Sequence, residues 1–100
     1  MNEEMLESEI MDKKLNAPRI TPEHLDSCIK SVEYHVFPGS QLTVCCMTLI
    51  NGFTVTGISA CVSPENFDKE KGESIAYDDA RDKIWMLEGY LLKERLYDER

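Results

Sequence analysis

The sequence predicts an α+β fold: a three-stranded antiparallel sheet packed by a long C-terminal helix and a shorter N-terminal helix, in the order α-α-β-β-β-α. Three observations predict it. Asn51-Gly52 lies between two runs rich in Val, Ile and Thr, which is the signature of a tight hairpin. Thr21-Pro22-Glu23 is a helix start, with a capping hydroxyl, a proline suited to the first helical position and an acid in the first turn. Apolar residues between Phe67 and Leu91 recur at helical spacing. The chain has 100 residues, 42% of them apolar, enough for one folded unit without disulfide staples. The division expected is an acidic N-terminal segment over 1–17, weakly helical, and a single α+β domain over 18–100.

In chain order, residues 3–15 predict a weak amphipathic helix, with Leu6, Ile10 and Met11 near one side and Glu9 paired to Lys13. The helix capped by Thr21 carries Leu25, Cys28 and Ile29 on one side and is expected to end near Ser31, with His24 in solvent. Val32–Phe37 predicts a strand with Val32, Tyr34 and Val36 on one face and Glu33, His35 and Phe37 on the other. Residues 38–41 read as a turn. In the hairpin, a two-residue turn at Asn51-Gly52 pairs Ile50 with Phe53. One face then carries Leu42, Val44, Cys46, Ile50, Phe53, Val55 and Cys61, with Thr48, Gly57 and Ser59, and is the expected core face. The other carries Thr43, Cys45, Met47, Leu49, Thr54, Thr56, Ile58 and Ala60. Ser63-Pro64-Glu65 signals the last helix, expected over about 64–96 with Phe67, Ile75, Ala76, Ala80, Ile84, Leu87 and Leu91 as its stripe.

Charge excludes several functions. The net charge is −8 and no stretch is basic, which argues against gripping nucleic-acid phosphates or anionic membranes. From Thr21 on, the element order is that of a double-stranded RNA-binding domain. Where such a domain keeps lysines at its last helix, this chain has Asp78 and Asp79, so the analogy extends to topology alone. No apolar run is long enough to span a bilayer, and the acidic N-terminus is unlike a signal peptide. The four cysteines form no C-x-x-C pair and no zinc spacing, and are expected to be free thiols filling apolar space. No nucleophile, phosphate-loop or zinc-protease motif is present. Asp78 and Asp82 share a helix face, as a metal pair would, but Asp78, Asp79, Arg81, Asp82 and Lys83 together read as a solvated face.

"NAPRITP" (16–22), "NGFTVTG" with "SACVSPENFD" (51–68) and "KIWMLEGYLLKERL" (83–96) resemble a family of small tailed-phage and prophage proteins, the gene-49/gene-66 type. Met86 and Ile58 depart from it, standing where the family has a proline and an acid. The resemblance implies a phage accessory protein made in the cytoplasm of a bacterial host, and supplies no catalytic residue. The function expected is non-enzymatic: binding a host protein with a basic surface, for host takeover or anti-defence. Two alternatives stay open. One is an oligomeric protein sequestering a small ligand such as a signalling nucleotide, and the other is a small metal-dependent enzyme. No catalytic, cofactor-binding or metal-binding residue is assigned, and no cofactor is expected. Surplus apolar surface predicts a homodimer. The candidate face is Thr43, Cys45, Met47, Thr54, Thr56 and Ile58, the alternative face is Trp85, Met86 and Tyr90, and the competing arrangement folds the 3–15 helix over one of them.

Overall fold

A computed structural model describes residues 3–12 and 17–99. Its elements are α1 (Glu3–Asp12), α2 (Pro22–Cys28), β1 (Ile29–Val36), β2 (Leu42–Leu49), β3 (Thr54–Ala60), a short 3-10 turn (Pro64–Asn66) and α3 (Lys69–Asp98). The strands form one antiparallel sheet in the order β1-β2-β3, so the α+β class and the element order stand as expected. The proposed Glu9–Lys13 pair lies outside the described residues.

Thr21 caps α2 by accepting a hydrogen bond from the His24 backbone N–H at 3.1 Å, and Pro22 begins the helix. This helix stops earlier than expected. The chain turns extended at Ile29, and β1 starts directly from α2 with no connecting loop. Between Ile29 and Ser31 the pairing with β2 shifts by one residue, a bulge that absorbs the change. Gly39, at φ +77°, supports the turn into β2. The last helix also starts later than expected. The Ser63 carbonyl closes only the 3-10 turn, accepting from the Asn66 N–H at 3.0 Å, and Asp68 is the true cap, its side chain accepting from the Lys71 N–H at 3.1 Å.

The hairpin turn has three residues rather than two. Leu49 pairs with Phe53, its N–H donating to Phe53 O at 2.8 Å and its C=O accepting from Gly52 N–H at 2.9 Å. Gly52 holds φ +90°, the left-handed residue that closes a three-residue loop. The register therefore pairs Met47 with Val55, Cys45 with Gly57 and Thr43 with Ser59. A shift of one residue exchanges faces on one strand relative to the other. The expected core face is thus overturned. Leu42, Val44, Cys46 and Thr48 lie on the uncovered side of β2, while Thr43, Cys45, Met47 and Leu49 point into the core. On β3, Val55 and Gly57 are the buried residues, as the expected face had them, and Ile50 and Phe53 are exposed at the turn.

One face of the sheet is covered by α3, which lies over β3 and β2. Its Gly72, Ala76, Ala80 and Ile84 are buried, and the core gathers Leu25, Cys45, Met47, Leu49, Val55, Ala76, Ala80 and Ile84. The seam is close. A Cβ built on Gly57 would land on Ala76 O and Ala80 N, so only glycine lets the helix backbone reach the strand. Gly72 faces Thr43, whose buried hydroxyl has no hydrogen-bond partner among the described residues; a Cβ on Gly72 would stand 3.0 Å from it. Ile75, expected in the stripe, is half exposed, because it lies beside this seam rather than on it.

The two helical glycines Gly72 and Gly89 do not break α3. At Gly89 a Cβ would meet nothing within 4 Å. Gly89→Ala should therefore stabilise the fold by about 0.5–1 kcal/mol through helix propensity alone. Gly57→Ala should destabilise it by about 3 kcal/mol, the upper end of overpacking costs, because the opposing atoms are backbone. Thermal melts of the two variants must move in opposite directions; two shifts of the same sign would contradict the seam.

Candidate functional site

The sheet has a second face that no described element covers. On it lie Leu42, Val44, Cys46 and Thr48 of β2, with Thr54, Thr56, Ile58 and Ala60 of β3. An antiparallel strand with one face in water ordinarily alternates apolar and polar residues. Here β2 presents Leu-Val-Cys-Thr to the open side, and Ile58 is 56% exposed. Only β1 reads as a water face, with Glu33 and His35 exposed and the His35 ring edge-on to Phe37 at 4.7 Å.

The six residues of the expected interaction face do not share a surface. Thr43, Cys45 and Met47 are fully buried under α3, while Thr54, Thr56 and Ile58 lie on the open side. The register slip is the reason. The alternative face divides as well. Met86 and Tyr90 are exposed, but Trp85 is half-buried and donates its indole N–H to Glu3 at 2.9 Å. Past Ile84 no described residue of α3 is buried, because the helix runs beyond the sheet. That overhang brings Leu87, Tyr90 and Leu91 beside Phe53 at the hairpin turn, around a shallow hollow of about 220 Å³.

β3 is an edge strand, and an unprotected edge invites pairing with another chain. Because Leu49 and Phe53 are a hydrogen-bonded pair, the even-numbered residues of β3 turn their backbone groups outward. Side chains of α3 occupy them. Asp79 accepts the Ile58 N–H at 2.9 Å, and Lys83 donates to Thr56 O. Asp78 and Asp82 stay exposed and gather no third ligand among the described residues.

Arg81 was expected in solvent with its neighbours, yet it is 7% exposed. Its guanidinium donates twice to the Glu3 carboxylate, at 2.7 and 3.1 Å, and once each to Asp26 at 2.8 Å and Pro22 O at 3.2 Å. One side chain thus ties α1, α2 and α3 together. Arg19 adds a 2.6 Å bond to Glu7. The sequence carries no local sign of this clasp: Glu3 and Arg81 lie 78 residues apart, and Arg81 stands among four charged neighbours. The N-terminal helix does fold back, across the Trp85 flank of α3.

A third cluster joins α2 to α3. His24 Nε2 lies 2.7 Å from Glu88 Oε1 and 3.7 Å from Cys28 Sγ. Burial, together with the charge of Glu88, pushes the Cys28 thiol pKa up. All four cysteines are unpaired, Cys28 and Cys45 buried and Cys46 and Cys61 half-buried.

The family model described as phage protein (N4 Gp49/phage Sf6 gene 66) matches residues 20–96, from the loop before α2 almost to the end of α3. The chain belongs to this family. The match spans Arg81 with its partners Asp26 and Pro22, the Gly57 seam and the whole sheet, but leaves out α1 and with it Glu3. Ile58 and Met86, where the resemblance leads us to expect an acid and a proline, are both exposed. No curated protein and no solved structure matches the chain. Among the described residues no helix is long and apolar enough to cross a membrane.

The clasp predicts a pH response. The Arg81 hydrogen bonds hold the Glu3 carboxyl below the usual glutamate range, with Trp85 aiding and burial opposing. A depressed carboxyl pKa adds stability that is fully present above the usual range and lost as pH falls through the folded value. Trp85 is the chain's one tryptophan, so its emission reports the clasp alone. Emission should shift to the red on acidification, and Glu3→Gln should be red-shifted already at neutral pH. Emission that ignores both changes would show that α1 does not dock on Trp85.

Proposed function

We propose that this phage family member is a non-enzymatic binding protein, and that it works as a homodimer joined through the open sheet face. The observation that carries the reading is the uncovered Leu42-Val44-Cys46-Thr48 row, flanked by Ile58 and Ala60, on a sheet that already has its helix layer on the other side. An apolar face of this kind is an interaction surface. Two copies meeting face to face about a two-fold axis bury the same row against itself. Pairing through the β3 edge competes poorly, because Asp79 and Lys83 already occupy outward groups of that strand.

The dimer's target is a host protein with a basic surface. A net charge of −8 per chain doubles on dimerisation, and a field of that sign accelerates encounter with basic partners. The cavities at Phe67, at Arg95 and at Phe53 hold about 210–220 Å³ each. Small-molecule sites usually run from about 300 Å³ upward, so these three cavities among the described residues suit a protein target better than a sequestered nucleotide.

Light scattering at micromolar concentration should give the dimer mass, and Val44→Glu with Ile58→Glu should give a folded monomer. Association of the wild-type dimer with its target should weaken as salt rises. A monomer mass for the wild type would overturn the dimer. A double variant that stays dimeric would move the interface to the Phe53–Tyr90 overhang.

A further inference from the structure

We propose that His24, Cys28 and Glu88 form a zinc-class metal site that fastens α2 to α3. His24 and Cys28 stand one turn apart on α2 and so share its inner side, and Glu88 meets them from α3. Their ligand atoms all lie within 4.8 Å of one another. Cys28 is buried and Glu88 largely so, while His24 remains half exposed, so an ion has a way in.

The geometry separates this site from a catalytic triad. A histidine that passes a proton between an acid and a thiol uses its two ring nitrogens on opposite sides. Here Nε2 faces both Glu88 Oε1, at 2.7 Å, and Cys28 Sγ, at 3.7 Å. Three different donors therefore gather around one ring nitrogen instead of standing in line, all within 4.8 Å of one another. Tetrahedral bonds of about 2.0 Å to nitrogen and oxygen and 2.3 Å to sulfur place ligand atoms about 3.3–3.6 Å apart. The histidine–cysteine spacing already matches. The histidine–glutamate contact opens by about half an ångström from its hydrogen-bonded length when an ion takes the place of the shared proton.

Donor chemistry selects the ion. One thiolate, one imidazole and one carboxylate suit zinc and its spectroscopic substitute cobalt(II), and are too soft for magnesium or calcium. The two anionic ligands neutralise a dication. Three protein ligands leave a fourth position, and the hollow of about 210 Å³ lined by His24, Glu88, Leu92 and Arg95 has room there for water. Neither ring-nitrogen convergence nor the helix–helix placement shows in the sequence, where the nearest cysteine and histidine make only H-x-x-x-C and the glutamate lies 64 residues from the histidine.

The test is cobalt(II) titration of the full chain, purified metal-free with its thiols reduced. Expected is one cobalt per chain, with a thiolate-to-cobalt charge-transfer band and the intense visible bands of four-coordinate cobalt, both abolished by added zinc. Zinc should also raise the melting temperature. Cys28→Ser should lose the charge-transfer band, and His24→Ala and Glu88→Gln should each weaken binding by about tenfold or more. His24 is half exposed, so His24→Ala folds even where Cys28→Ser does not. Absence of binding at a hundred micromolar cobalt would overturn the site. So would a charge-transfer band that survives in folded Cys28→Ser, since the metal would then sit on Cys46 or Cys61.

Discussion

The structure depends on one close contact, the backbone of α3 against Gly57 of β3. With no side chain on the strand, Ala76 and Ala80 settle directly on it, and the helix is fixed in both height and rotation. At about 100° per residue, that rotation assigns the rest of the helix. Asp79 and Lys83 fall on the side of β3's outer edge, where they meet Ile58 and Thr56. Arg81, Trp85 and Glu88 fall on the opposite flank, where they meet α1 and α2. Rotating α3 by a single residue would separate all of these pairs at once.

The same contact explains what is left uncovered. A single long helix set over β3 and β2 covers one sheet face and leaves the other without a layer. Being 30 residues long, it also outruns strands of seven and eight residues. Its last turns therefore carry Tyr90 and Leu91 past the sheet, beside Phe53. Small helices could have filled these gaps, but α2 has seven residues and α1 is held by Glu3 against Arg81 and Trp85 instead. The apolar surfaces of the phage protein follow from this shortage of covering elements.

Much of the fold was legible. Thr21 and Pro22 announce α2, the alternation around Asn51-Gly52 announces a hairpin, and the spacing of Ala76, Ala80 and Ile84 announces α3. The register was not legible, because Asn-Gly serves both a two-residue turn and a three-residue loop ending in a left-handed glycine. That one-residue ambiguity was enough to exchange the faces of β2. The extents of α2 and α3 differ for a related reason: Cys28 passes straight into a strand, and the Ser63 carbonyl only closes a 3-10 turn before the Asp68 side chain caps the helix. The candidate sites were the least legible part. Arg81 looks solvated among its charged neighbours, and the partners of Arg81, His24 and Asp79 come from elements distant in the chain.

Nuclear Overhauser contacts from Gly57 Hα test the seam most directly. They should reach the methyls of Ala76 and Ala80, with Met47 and Cys45 in the same cluster and Val44 and Cys46 outside it. A Gly57 Hα silent toward both alanines, with Val44 or Cys46 touching α3 instead, would contradict the register and the placement of the helix together.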